Sequence, residues 1–205
     1  MPFLKILSSW LVLGIVVSPA LAKTEFPGIL SAPAAVLKKS QPVFQEVQIQ
    51  DETSDRHSRM YLLDNVQVSI EKPATAGQTV KEALERYLQK RVALDPAGSR
   101  VLIGKLQKAE AYYILPLDEK VALDSFDMQD RSPEEREFVL ELKVSFEVRD
   151  AGRVERSYLF DRKISLPDGR AEFPGQIRES YQRLTERCRK IFFETVELEF
   201  LGKLP

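Results

Sequence analysis

The sequence predicts an α+β fold, a single domain in which two amphipathic helices pack on one face of an antiparallel β-sheet. Residues 138–148 alternate strictly between apolar and mostly polar side chains, and a second alternating run follows across a short turn that contains Gly152. Two other segments repeat apolar residues at helical spacing. Sheets and helices that are apolar on one side bury those sides against each other. The predicted order is β-α-β-β-β-α.

Residues 1–22 have the pattern of a secretory signal peptide. Lys5 supplies the positive start, an apolar stretch covers residues 6–17, and Ala20-Leu21-Ala22 gives the small-x-small cleavage pattern. We expect cleavage after Ala22 and a periplasmic protein without an integral membrane span. The alternative is a retained anchor, although the apolar stretch is short for a span of about 20 residues.

Residues 23–42 are predicted to be a flexible Pro/Ala-rich leader, since Pro27, Pro33 and Pro42 remove backbone donors and fix φ. The α+β domain is expected over residues 43–205. Its first strands are predicted near Val47 and over residues 61–70, where apolar side chains recur at every second position. A cysteine for lipid attachment does not follow the cleavage pattern.

A first helix is predicted over residues 79–93, which an Asp95-Pro96 pair and Gly98 end. Its apolar side chains recur at one helical face: Val80, Ala83, Leu84, Tyr87, Leu88 and Val92. Extended chain follows over residues 100–116. Residues 117–137 hold eight carboxylates against three basic side chains and are predicted to be an exposed acidic loop.

The clearest element is a β-hairpin around Asp150-Ala151-Gly152. Its returning strand is expected to direct one set of apolar side chains to the core: Val154, Tyr158, Phe160, Ile164 and Leu166. A second helix is predicted over residues 174–194. The alternation of Val196, Leu198 and Phe200 favours a strand over residues 195–200, and a continued helix is the alternative.

These elements together predict a core. It comprises Val80, Leu84, Leu88, Leu140, Leu142, Val144, Phe146, Ile177, Leu184 and Ile191.

Composition excludes several classes of protein. The chain has 205 residues and a formal net charge of -1, whereas proteins that grip nucleic-acid phosphates usually carry a basic excess. One cysteine cannot form an internal disulfide framework or a cysteine-rich zinc site, and one histidine leaves little material for triad chemistry.

Four groups of residues could carry chemistry, and each also has a plain structural interpretation. Cys188 lies on the apolar stripe of the second helix, where burial is favoured over a reactive thiol; an intermolecular disulfide is the alternative. His57 lies near Asp and Ser side chains, but triads do not assemble from neighbours in sequence, which favours a solvated loop. Asp124, Asp127 and Asp130 have the wrong spacing for a calcium loop and lack its glycine.

The fourth group is a set of basic residues on the second helix, which could bind anionic lipid or polysaccharide. It comprises Arg178, Arg183, Arg187, Arg189 and Lys190. Interleaved glutamates favour a mixed, solvated surface instead. The sequence therefore assigns no catalytic, cofactor-binding or metal-binding residue, and no cofactor.

The order of these elements resembles the YajG-like lipoprotein family of Gram-negative envelopes. The matching stretches are residues 55–59 and 66–70, the helix beginning at Val80, the strand from Val101 and the hairpin over residues 138–166. The helix over residues 177–192 matches in position. The chain departs from the family in lacking a lipidation cysteine and in the apparent insertion at residues 117–137. The resemblance implies an envelope protein and brings no catalytic residues. Lipopolysaccharide-assembly lipoproteins share a similar plan.

Three functions are compatible with the sequence. The favoured hypothesis is a non-enzymatic secreted or periplasmic envelope protein, an accessory or binding subunit of an envelope complex. The first alternative is a soluble carrier that holds a lipid or other apolar ligand between helices and sheet. The second is a hydrolase that uses carboxylates, which requires a cleft with at least two Asp or Glu of raised pKa.

Overall fold

Two helices and a six-stranded sheet form the core of the computed structural model, which describes residues 28–33, 41–53, 61–62, 65–69, 73–116, 137–167 and 174–205. The strands are β1 (Val43–Phe44), β2 (Glu46–Asp51), β3 (Tyr61–Leu62), β4 (Asn65–Ser69), β5 (Ala93–Leu94), β6 (Arg100–Pro116), β7 (Glu137–Asp150) and β8 (Arg153–Pro167). The helices are α1 (Pro73–Arg91) and α2 (Pro174–Glu199), and a 3₁₀ turn covers Leu201–Lys203.

The sheet is built around β6, β7 and β8, which pair antiparallel in that order. The other edge of β6 is shared by two strands. Its first half pairs with β2 in parallel, and its last residues pair with β4 antiparallel. The parallel pair departs from the predicted all-antiparallel sheet. Since α1 lies between β2 and β6 in sequence, it serves as the crossover that returns the chain to the same end of the sheet.

Both helices lie on one face of this sheet, as the sequence predicts. Helix α1 packs against β2 and β6, and α2 packs against β7 and β8. The predicted core is confirmed for eight of its ten residues, all of which are buried: Val80, Leu84, Leu88, Leu140, Leu142, Val144, Phe146 and Leu184. Ile191 is partly buried against the core, and the side chain of Ile177 lies outside the described set. The α+β class and the order of the main elements are confirmed.

Two β-bulges interrupt the alternation that the sequence suggests. The register of β6 against β7 shifts between Leu106 and Lys108, so that Leu106 and Ala109 both face the helices. The register of β7 against β8 shifts at Glu155, where Arg149 pairs with Val154. The prediction for Val154 was therefore wrong: its side chain lies on the face away from the helices and is 56% exposed.

Helix α2 continues through residues 195–199, so the preference for a strand there was wrong. In helical geometry Val196 and Phe200 are four residues apart on one face, and both are buried. Helix α1 also begins earlier than predicted, at Pro73. Its first turns have small side chains, which give no apolar periodicity, although Ala76 is buried and Pro suits the first helical position.

Part of the predicted flexible leader is packed against the domain. Within residues 28–33, Ile29 is 0% exposed and Leu30 is also buried in the core. Their apolar side chains stabilise this segment despite the neighbouring prolines. The rest of residues 23–42 is described only from Gln41, which donates to the Lys90 carbonyl. The predicted signal peptide lies outside the described residues. The same holds for the acidic loop, except that Glu137 begins β7.

The hairpin turn has positive φ at both central residues, Ala151 at 45° and Gly152 at 82°. This is the conformation of a type I′ turn, in which an L-residue other than Gly, Asn or Asp is disfavoured. Asn prefers the first position of this turn. We expect Ala151→Asn to raise the free energy of unfolding by about 0.5–1 kcal/mol, measured by urea denaturation. Gly152→Ala should change it in the opposite direction, and equal effects of the two variants would contradict this turn.

Candidate functional site

Among the described residues, the most enclosed polar cluster joins α1 to α2. Arg91 donates from Nη2 to Oε1 of Glu197 at 2.7 Å and from Nε to Oε2 at 2.8 Å. The Tyr87 hydroxyl donates to the same Oε2 at 3.0 Å. The side chains of Arg91 and Glu197 are only 1% and 7% exposed. We call these three residues the helix clamp.

The helix clamp holds its charges through mutual bonding. The Glu197 carboxylate raises the pKa of Arg91, because its bond to the guanidinium outweighs the effect of burial. Burial, then the charge of Glu197, raises the pKa of the Tyr87 phenol. Each of the three polar ends therefore has a partner within the cluster, and the ring of Tyr87 also contacts Phe193 at 4.4 Å between centroids. This cluster links α1 to α2.

A second polar cluster lies on the face of the sheet away from the helices, which we call the open face. At the end of this face, Tyr112 and the paired Val139 are nevertheless buried, at 4% and 0% exposed. Glu141 on β7 accepts hydrogen bonds from Lys108 and Tyr112 on β6. Nζ of Lys108 also lies 3.5 Å from Oε2 of Glu110. Nζ of Lys163 on β8 lies 5.9 Å from the centroid of the Tyr112 ring. The cluster thus links the three longest strands across the open face.

The electrostatics of this open-face cluster favour the ionised carboxylate. Burial alone would raise the pKa of Glu141, but the bonds from Lys108 and Tyr112 outweigh it and lower that pKa. Burial works against the charge of Lys108, yet Glu141 and Glu110 raise its pKa overall. Burial and then the bond to Glu141 raise the pKa of Tyr112. A carboxylate held in this state is poorly suited to donate a proton near neutral pH.

Cys188 lies in the core, as its position on the apolar stripe predicts. It is buried, and burial raises the pKa of its thiol to about 12. The flanking Arg187 is exposed, and Arg189 bonds Glu186 instead. A neutral, enclosed thiol is a poor nucleophile.

We therefore expect a soluble thiol reagent to label Cys188 at the rate of global or local unfolding. In denaturant, labelling should be complete at once. The absorbance of the chromophore that the reagent releases measures the extent of labelling in both conditions. Rapid stoichiometric labelling of the native protein at neutral pH would contradict the buried position.

The basic residues of α2 do not form a uniform patch. Arg189 pairs with Glu186, and Arg183 donates to the Ser180 hydroxyl at 3.0 Å. An open surface depression runs along this helix, and its lining mixes both charges: Glu179, Gln182, Arg183, Glu186, Arg187 and Lys190. Such a surface offers little net attraction for a polyanion.

The other candidates are not brought into a site by the described residues. His57 and Asp124, Asp127 and Asp130 lie outside them. Within the described ranges, no three His, Cys, Asp or Glu side chains cluster in a way that could hold a metal ion. In the same ranges, no helix is both long and apolar enough to cross a membrane.

Sequence reasoning missed both polar clusters. Glu197 lies on the buried stripe with Phe193 and Phe200 only if α2 is continued, and the alternating pattern concealed that continuation. Glu141 is an ordinary polar position in the alternation of β7. Its partners on β6 follow a bulge that the sequence does not mark. Extending the helical periodicity of α2 through residues 195–200 would have placed Glu197 on the buried face of the helix and so indicated the helix clamp.

Comparisons with known proteins add little to this geometry. The chain matches no protein-family model, and no curated protein matches it. A solved structure of protein XCC0632 from Xanthomonas campestris, of family DUF330, is similar at a TM-score of 0.37 and 10% sequence identity. The match covers 82% of this chain and 94% of that chain. A TM-score this low supports no inference about fold or function.

Proposed function

We propose that this protein is exported to the periplasm and acts there without catalysis, as an accessory or binding subunit of an envelope complex. The observation that carries the proposal is the packed layer between α2 and the sheet. Ring contacts fill it: Phe160 with Phe192 at 4.9 Å, Phe146 with Phe200 at 5.5 Å, and Phe138 with Tyr181 at 6.2 Å between centroids. With this layer filled, the outer surface is what the domain offers for contacts.

The same packing favours surface binding over a lipid carrier. A carrier of this architecture would hold its ligand between helices and sheet, where Phe160, Phe192 and Phe200 are each at most 1% exposed. Opening that layer would forfeit the dispersion contacts and buried apolar area of the rings, about 1.5–3 kcal/mol for each large apolar side chain.

The electrostatics of the carboxyl groups favour binding over hydrolysis. A hydrolase of the predicted kind needs a carboxyl group that stays protonated near neutral pH. The partly buried Glu141 has a lowered pKa instead, and Glu186 on α2 has its pKa lowered by the bond from Arg189. Both are committed to cationic partners.

Export is supported by the pattern of residues 1–22 and by the resemblance to YajG-like envelope proteins. Lys5, the apolar stretch and Ala20-Leu21-Ala22 together fit the recognition pattern of signal peptidase. Among the described helices, α1 and α2 are amphipathic, and their apolar faces pack in the core.

The experiment is affinity capture of the tagged full chain from a Gram-negative host after fractionation of the envelope. We expect a periplasmic product that begins at Lys23 and co-purifies with a stoichiometric envelope protein. Ala22→Arg serves as the control, because a large charged side chain should block the cleavage site. Retention of uncleaved wild-type chain in the cytosol would contradict export. Repeated recovery without another envelope protein would contradict the accessory role.

A further inference from the structure

Strand β8 ends the sheet, and its outer edge is long. It pairs with β7 over Arg153–Pro167, and no described strand pairs with its other side. The side chains of Asp161, Arg162 and Lys163 are exposed along this edge, and Leu159 is 51% exposed. An open strand edge presents backbone donors and acceptors that can pair with another strand.

We propose that a second copy of this chain pairs antiparallel with β8 across a twofold axis at Arg162, so that the two sheets become continuous. The proposal concerns self-association and does not depend on the function proposed above. In a twofold pairing of identical strands, each residue before the axis lies opposite the residue equally far beyond it.

The charges on the open face fit this register. Lys163 lies opposite Glu141 within one copy, and Lys143 lies opposite Asp161 with Nζ to Oδ2 at 3.0 Å. An axis at Arg162 places Lys163 opposite Asp161 of the second copy, twice. Four charged side chains then lie side by side on four neighbouring strands, and their charges alternate between negative and positive. In order across the interface they are Glu141, Lys163, Asp161 of the second copy and Lys143 of the second copy. Opposite charges on directly paired residues stabilise a sheet.

Other registers fit less well. An axis at Leu159 places Arg156 opposite Arg162 twice, and an axis at Phe160 places Leu159 opposite Asp161. Both lose the two pairs between Lys163 and Asp161. The axis at Leu159 sets Lys163 opposite Glu155 instead, but Glu155 lies at the bulge and already accepts a hydrogen bond from Arg100. The register at Arg162 has one cost, since Arg162 lies opposite itself. That side chain is exposed, so water can solvate both guanidinium groups.

A disulfide at the axis tests the register. Arg162→Cys places one new thiol opposite its own copy and also removes the like-charge pair, while the native Cys188 is buried and unreactive. We expect mild oxidation of the purified variant to give a disulfide-linked dimer on non-reducing gels. Leu198→Cys, at an exposed position on α2, is the matched control and should not form the disulfide-linked dimer on the same gels. Equal cross-linking of the two variants would overturn the proposal.

Sedimentation equilibrium tests the charges. The wild-type protein should dimerise reversibly, and Lys163→Glu should raise the dimer dissociation constant at least about tenfold, because like charges then lie directly opposite. Adding Asp161→Lys to that variant should recover part of the affinity. Lys143→Met removes the ion pair with Asp161 within one copy and leaves β8 unchanged, so its dissociation constant should stay within about threefold of wild type. Wild-type protein that sediments as a monomer at all concentrations would overturn the proposal.

Discussion

Replacing Arg91 by Met should lower the free energy of unfolding by about 3–5 kcal/mol, because it leaves the Glu197 carboxylate buried without its cation. Arg91 and Glu197 are almost completely enclosed and joined by two hydrogen bonds. Removing one member of such a pair costs more than the pair itself contributes. At about 2–4 °C per kcal/mol for a chain of this size, the melting temperature should fall by about 10 °C.

The matched control lies on the exposed face of the same helix. Arg86 forms an ion pair with Glu82 at 2.9 Å, and both side chains are solvent-exposed. We expect Arg86→Met to change stability by less than about 1 kcal/mol. The double variant Arg91→Met with Glu197→Leu should recover much of the stability, since apolar replacements remove the buried charge as well. Similar losses for Arg91→Met and Arg86→Met would contradict the helix clamp.

Leu184→Asp should be at least as damaging, costing about 3–5 kcal/mol or preventing folding at physiological temperature. Leu184 lies on the core side of α2 and is 0% exposed, and the substitution both removes apolar contacts and buries a carboxylate. Calorimetry or chemical denaturation measures the effect.

Leu198→Asp provides the control on the same helix, since Leu198 is 61% exposed. We expect its unfolding free energy to stay within about 0.5 kcal/mol of wild type. If Leu184→Asp also folds, and its unfolding free energy is close to that of the wild type, the placement of α2 on the sheet is wrong. The milder Leu184→Ala keeps the test interpretable when the aspartate variant does not fold, with an expected loss of about 2–5 kcal/mol.

The fold class could be predicted because its strongest signals are local. The alternation of β7 and the spacing of Leu84 and Leu88 each depend on a single element that is apolar on one side. The turn at Ala151-Gly152 joins two such runs, which makes the hairpin the clearest prediction. The core residues could be predicted from the same apolar faces.

What could not be predicted depends on contacts distant in sequence. The parallel pairing of β2 with β6 is fixed only when α1 has packed across both strands. The bulge at Glu155 reverses the direction of Val154, and nothing in the local pattern marks it. The helix clamp joins residues about a hundred positions apart, at Arg91 and Glu197, so neither residue alone indicates the other.

Native mass spectrometry of the protein recovered from a periplasmic extract tests the central claim most directly, namely that an exported domain with a filled interior acts through its surface. The account predicts the mass of residues 23–205 in assemblies that contain protein alone. Two results would contradict it: a chain that retains residues 1–22, or a chain that carries a bound lipid or other small apolar molecule.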